Sequence, residues 1–137
     1  MRNVDADATL DPAARRRALG RAERAAEDYL DSDAGPRRIA ADFDAVLGWA
    51  RRWGVPAGAV LLGEFGVTRT YGRYRAADAV SRAAWLRDVR AAAEARGFGW
   101  ALWELVGTGG MATVVEDGAT SLDPATLRAL GLRAAGP

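Results

Sequence analysis

A chain of 137 residues, half of them hydrophobic and 27% charged, has room for one globular domain with a real core and is short for two. Its 19 basic and 18 acidic residues leave a formal net charge of +1, which argues against electrostatic capture of nucleic acid or of an anionic membrane. With no histidine, cysteine or lysine, it cannot build a Ser-His or Cys-His nucleophile, a His/Cys zinc site, a P-loop or a Schiff base, so any chemistry must run on carboxylates, hydroxyls, arginine and aromatics.

Residues 13–28 are crowded with Arg and Glu, so the first 30 residues do not read as a signal peptide. No apolar run approaches the roughly 20 residues of a membrane span. Asp11-Pro12 reads as an N-cap followed by the first helical position, and a helix is predicted to about residue 30 with Leu19, Ala22, Ala26 and Tyr29 on one face. After a turn-rich break at 31–36, a second helix is predicted over 37–53. Ile39, Phe43, Val46, Leu47, Ala50 and Trp53 recur in it at helical spacing, Gly54 stops it and Pro56 bars its continuation.

A strand is predicted over 59–65, then a loop over 67–78 rich in Gly and Arg. Asp78 or Ser81 opens a helix to about residue 96 whose buried side reads Trp85, Val89, Ala92 and Ala93, and Gly97 ends it. A second strand follows over 98–106, then a loop over 107–118 whose Gly109-Gly110 reads as a turn. Asp123-Pro124 caps a short last helix carrying Leu127, Leu130 and Leu132, and 133–137 reads as a tail. Trp49, Trp53 and Trp85 fall at helical core spacing and read as packing residues.

Strand, helix and strand make a βαβ unit with parallel strands. Chemistry in such folds sits at the C-terminal edge of the sheet. Val60-Leu61-Leu62-Gly63-Glu64-Phe65-Gly66 places one carboxylate there, at the end of an otherwise apolar run that reads as a strand buried on both faces. Strict alternation puts Val60, Leu62 and Glu64 on one face. By itself Glu64 reads more readily as a rim glutamate paired with Arg69 or Arg73 than as a functional carboxylate. Trp103, at the end of the second strand, reads as core or as an aromatic face open at the sheet edge, while Trp100 faces the helix layer. Alternation points Glu104 away from Glu64. Arg69, Tyr71, Arg73, Tyr74 and Arg75 make a basic-aromatic loop suited to hydrogen bonding and stacking.

These segments resemble glycoside hydrolase family 5, the cellulase-type (β/α)8 barrels. Gly63-Glu64-Phe65-Gly66 is similar to the family's seventh strand, which carries the nucleophile. Gly99-Trp100-Ala101-Leu102-Trp103-Glu104 is similar to its eighth, where a tryptophan floors the sugar site. Residues 81–90 resemble the helix between those strands, and 122–132 the closing helix. The resemblance runs over 39–132, with 1–38 a loosely matched helical lead-in. It implies an α/β fold, a partial (β/α)8 TIM barrel of the last two βα units plus preceding helices, as one partial domain over 1–137.

The resemblance also implies retaining, endoglucanase-like hydrolysis of O-glycosyl bonds in a β-glucan-type polysaccharide, with no metal or organic cofactor. Glu64 would be the nucleophile, and Trp103, Tyr71 and Arg69 would bind the polysaccharide or oligosaccharide. Such a reaction needs two carboxyl groups about 5–5.5 Å apart. The family's acid/base is a glutamate following an asparagine, whereas the only asparagine here is Asn3, and the family's active-site histidine has no counterpart. The chain thus reads as the C-terminal part of such an enzyme, or as a non-catalytic, sugar-binding remnant. Two strands cannot bury both sheet faces, so self-association or docking of a separate N-terminal barrel half is expected.

Overall fold

The fold is taken from a computed structural model that describes residues 4, 7–32, 35–71, 74–107, 110–115 and 119–133, with the side chains of 70, 71, 74 and 75 left undescribed. Arg73, Gly109 and residues 134–137 of the expected tail therefore lie outside the described residues. Contacts divide the chain into two units, Met1–Arg38 and Ile39–Pro137. The first unit holds α1 (Pro12–Asp31). Its cap is the expected one: Asp11 Oδ1 accepts from the amides of Ala13 and Ala14, each at 2.8 Å. None of its residues is buried, so its apolar stripe forms no core.

In the second unit α2 (Pro36–Arg52, its first turn in the lead-in) is followed by a short 3-10 turn at Ala57–Ala59. That turn closes through bonds from Ala59 N to Pro56 O and Val60 N to Ala57 O, which delays the strand to Leu61. Then come β1 (Leu61–Phe65), a hairpin of β2 (Thr70–Tyr71) and β3 (Tyr74–Arg75), α3 (Ala79–Glu94), β4 (Gly99–Leu102) and α4 (Pro124–Ala129). The hairpin was not expected in the 67–78 loop. It pairs Thr70 with Arg75 and Tyr71 with Tyr74, and bonds from Ala76 N to Arg69 O and Ala77 N to Thr68 O extend it.

α3 starts where Asp78 accepts from the amides of Val80 and Ser81 and from the Ser81 hydroxyl. It ends at Gly97, whose φ of 73° lets the amides of Gly97 and Phe98 bond back to Glu94 O and Ala93 O. That reversal buries Phe98 and delivers the chain into β4. Arg96 locks the end of α3 to α2, donating to the Asp44 carboxylate and to Ala40 O, each at 2.8 Å.

β1 and β4 pair in parallel, as a βαβ unit requires. Leu61 matches Gly99, Leu62 matches Trp100 and Phe65 matches Leu102. Three steps along β1 therefore answer two along β4, which is a β-bulge at Gly63-Glu64. The bulge overturns strict alternation: Leu62 and Phe65 both pack against the helix-side core. That core is Phe65, Leu86, Val89, Ala129 and Leu130, flanked by Ile39, Phe43, Val67, Ala83, Trp100 and Leu102. Phe65 meets Trp100 edge to face at 5.9 Å.

Several expectations about burial need correction. β1 is not buried on both faces, since Leu61 is 65% exposed in a sheet of two strands. Trp49 and Trp53 are 53% and 67% exposed rather than core residues, because helical spacing defines a stripe but not what lies against it. On α3 the buried stripe is Arg82, Leu86, Val89, Ala92 and Ala93, with Trp85 left at the rim. Leu86 is fully buried at the centre of this cluster, so Leu86→Ala is expected to cost about 2–5 kcal/mol in urea unfolding.

Candidate active site

The C-terminal ends of β1 and β4 come together through the backbone. Trp103 N donates to Phe65 O at 2.8 Å, continuing the parallel ladder one step past β4. Gly66 follows at the point of closest approach, where a Cβ would run into the Trp103 carbonyl. Glycine is thus what allows the two strand ends to touch. Glu64 and Trp103 both lie at this edge, Glu64 exposed and Trp103 48% exposed.

Glu64 stands in a cleft of about 430 Å³ walled by Leu62, Phe65, Trp85, Val89 and Met111. Asp42 of α2 lines the same cleft and is a second carboxylate there. Trp103 lies at the neighbouring strand end and is not part of that wall. Trp100 faces the helix layer as expected, donating from Nε1 to Glu94 Oε1 at 3.1 Å. Glu104 folds back on its own loop: its carboxylate occupies the space a Gly107 Cβ would need, and its carbonyl accepts from Thr113 N and Oγ1.

Arg69 is engaged with the loop after β4. Its amide donates to Gly110 O, and its Nη1 donates to the carbonyls of Val114 and Val115. This couples the two loops that follow the strands. The Tyr71 backbone lies in β2, but its side chain is outside the described residues, as are those of Tyr74 and Arg75. Among the described residues no cluster of acidic side chains is arranged to hold a metal ion.

The residue that organises this edge is Arg82, only 3% exposed. From α3 its Nε donates to Val67 O at 3.1 Å, just beyond β1. Nη2 donates to Met111 O and Ala112 O, in the loop after β4. Nη1 reaches the Thr126 hydroxyl at 2.5 Å and Asp123 Oδ2 at 3.3 Å, at the start of α4. Burial lowers the pKa of Arg82, nearby Arg69 acts in the same sense, and Asp123 opposes both. Guanidinium nevertheless stays protonated. Asp123 caps α4 through the amides of Ala125 and Thr126 and the Thr126 hydroxyl. Burial opposes its ionisation, but these hydrogen bonds and the Arg82 charge outweigh it and hold its carboxyl below the ordinary 3.8.

Sequence reasoning passed over Arg82 because its charge hid its position. It stands four residues before Leu86 and seven before Val89, on the buried stripe itself. The bulge also had a signal, the lone Gly63 inside an apolar strand.

Against known proteins, no family model and no curated protein matches the chain. Solved structures do. A hyperthermophilic endo-beta-1,4-glucanase crystallised in complex with substrate is 35% identical, with a TM-score of 0.53 over 70% of this chain and 27% of its own. The cellulose synthase subunit Z from Clostridioides difficile is 37% identical, with a TM-score of 0.56 over 69% of this chain and 28% of its own. A further endoglucanase is 32% identical, with a TM-score of 0.54 over 70% and 28%. The chain thus spans little more than a quarter of the length of these structures, and over that span it has a cellulase-like glycoside hydrolase fold.

Three outcomes are expected at this edge. Arg82→Leu strands several buried acceptors and the Asp123 carboxylate, and should lower unfolding free energy by about 3–5 kcal/mol. Gly66→Ala forces a methyl into the Trp103 carbonyl and should cost about 1–3 kcal/mol, read by the same denaturant titration. The lowered carboxyl of Asp123 contributes stability that is fully present above its unfolded value near 3.8 and is lost as pH falls through its folded value. The thermal midpoint should therefore drop on acidification below that value, and drop less steeply in Asp123→Asn.

Proposed function

We propose that residues 39–132 form the part of a glycoside hydrolase family 5-like (β/α)8 barrel that holds its seventh and eighth strands, with 1–38 as a helical lead-in. The reaction served is retaining hydrolysis of O-glycosyl bonds in a β-glucan-type polysaccharide. One observation carries this reading. Gly63-Glu64-Phe65-Gly66 and Trp100-Ala101-Leu102-Trp103 end side by side in parallel at one sheet edge, in a chain 32% and 35% identical to two endoglucanase structures and 37% identical to a cellulose synthase subunit.

Glu64 is the nucleophile. Its carboxylate attacks the anomeric carbon as the bond to the leaving oxygen breaks, and water then releases the covalent glycosyl-enzyme. The bulge at Gly63-Glu64 supports this role, since bulges beside active sites re-aim a side chain. The half-exposed Trp103 indole offers an apolar face for a sugar ring. Tyr71 supplies a further contact, while Arg69 acts through the loop it holds at Val114 and Val115. The chemistry calls on no metal or organic cofactor.

The leaving oxygen must also be protonated by a second carboxyl group about 5–5.5 Å from the first. The chain has no Asn-Glu pair of the kind that supplies it in the family. That absence favours a second reading, in which the same edge binds oligosaccharide without turnover.

Reducing-sugar release from soluble β-glucan, beside cello-oligosaccharide titrations, separates the two readings. Hydrolysis by the chain should fall by roughly a thousandfold or more in Glu64→Gln. Release unchanged by that substitution would remove Glu64 from the nucleophile role. Binding without release, weakened about tenfold in Trp103→Ala, selects the second reading.

A further inference from the structure

The charges of α1 are sorted along its length. Its first ten residues carry Arg15, Arg16, Arg17 and Arg21 and no acid, and its last ten carry Glu23, Glu27, Asp28 and Asp31 against a single Arg24. Asp7 and Asp11, just ahead of the helix, are spent on Thr9 and on the cap. A helix macrodipole favours the reverse order, acids at the start and bases at the end, and α1 has neither in its terminal turns. Taken alone, the helix is opposed by its own charges, and none of its residues is buried.

Its apolar side chains still form a seam. Leu19, Ala22, Ala26 and Tyr29 recur at spacings of three, four and three residues, with Tyr29 60% and Leu30 77% exposed. The alanines in the middle of the seam leave room for a second helix to approach closely.

The charge order identifies the occupant. A second copy of α1 laid antiparallel sets each basic half on the other's acidic half and opposes the two macrodipoles, whereas a parallel copy sets like on like. A twofold axis beside residue 24 brings Leu19 level with Tyr29 of the second copy, and Ala22 level with Ala26. Arg21 and Asp28, seven residues or about two turns apart, share one flank of the seam, so the same axis places each Arg21 beside the other copy's Asp28. Arg24, level with the axis, falls on the side of the helix away from the seam. α2 offers α1 no such match, being basic at both ends through Arg37 and Arg38 and through Arg51 and Arg52.

We propose that α1 is a homodimerisation helix, through which two copies of this chain pair α1 against α1 in antiparallel. The proposal is independent of the catalytic reading, since none of its residues belongs to the Glu64–Trp103 edge.

Sedimentation velocity of the full chain, over a wide concentration range at low and high salt, tests it. The expected result is a monomer–dimer equilibrium weakened by salt, with a dissociation constant about tenfold higher in Asp28→Arg. Adding Arg21→Asp to that variant should restore association. Asp28→Arg places a cation where the macrodipole favours one, so helix content by circular dichroism should hold and the loss cannot be put down to melting. The chain has no cysteine, so single cysteines report the orientation. Ala18→Cys mixed with Leu30→Cys should form a disulfide-linked dimer faster than either variant alone. A monomer at every concentration would overturn the proposal, as would a dimer indifferent to Asp28→Arg. Faster self-linkage of Ala18→Cys than of the mixture would overturn the antiparallel arrangement.

Discussion

The buried guanidinium of Arg82 is the constraint on which the sheet edge carrying Glu64 depends. A charge this far from water is tolerated only when its hydrogen-bonding capacity is met. Here it is met by three separate segments: Val67 after β1, Met111 and Ala112 after β4, and the Asp123–Thr126 turn that starts α4. Loops carrying few regular backbone bonds would otherwise pay their full conformational entropy with little in return. One planar side chain with five donors joins them to the first turn of α3. Asp123 is drawn into the same arrangement, since the carboxylate that caps α4 is also the counter-ion of Arg82.

The edge that Arg82 organises lies where a short parallel sheet presents the ends of its strands. Backbone contact, rather than side-chain packing, brings Glu64 and Trp103 into proximity. The bond from Trp103 N to Phe65 O and the bare Cα of Gly66 together let the two strand ends touch. The bulge then decides orientation, because it releases Phe65 into the core while Leu62 stays on the same side. Phe65 in turn packs against Trp100 and Trp85, so the residue next to Glu64 is held from both α3 and β4. The nucleophile role proposed for Glu64 calls for such support, since a carboxylate on an unbraced loop would not hold a reacting geometry.

Local patterning was legible wherever one residue's chemistry acts on its near neighbours. Asp11, Asp78 and Asp123 cap the helices they appear to cap in the sequence, and glycines stop α2 and α3 where expected. The parallel pairing of β1 with β4 followed from a strand–helix–strand order. Burial was less legible. A run such as Val60-Leu61-Leu62 signals that apolar surface is present, but not whether the described chain covers it, and Leu61 remains exposed. Trp49 on α2 and Trp53 just past its end carry the same lesson. The hairpin at β2 and β3 escaped notice because two-residue strands are too short for period-two alternation to register.

By itself the sequence determined where the helices start, the βαβ order and the placement of Glu64 and Trp103 at one sheet edge. Each of these follows from spacing along the chain and from the chemistry of caps, glycines and apolar runs. Only the tertiary structure decided that an arginine belongs in the core, that alternation breaks at Gly63-Glu64, and that Trp49 and Trp53 turn outward. The reason is physical. Burial of a charge, the register between two strands and the covering of an apolar face are properties of pairs of distant segments. Arg82 and Thr126 lie 44 residues apart along the chain and meet through a single hydrogen bond that neither residue's neighbours foretell.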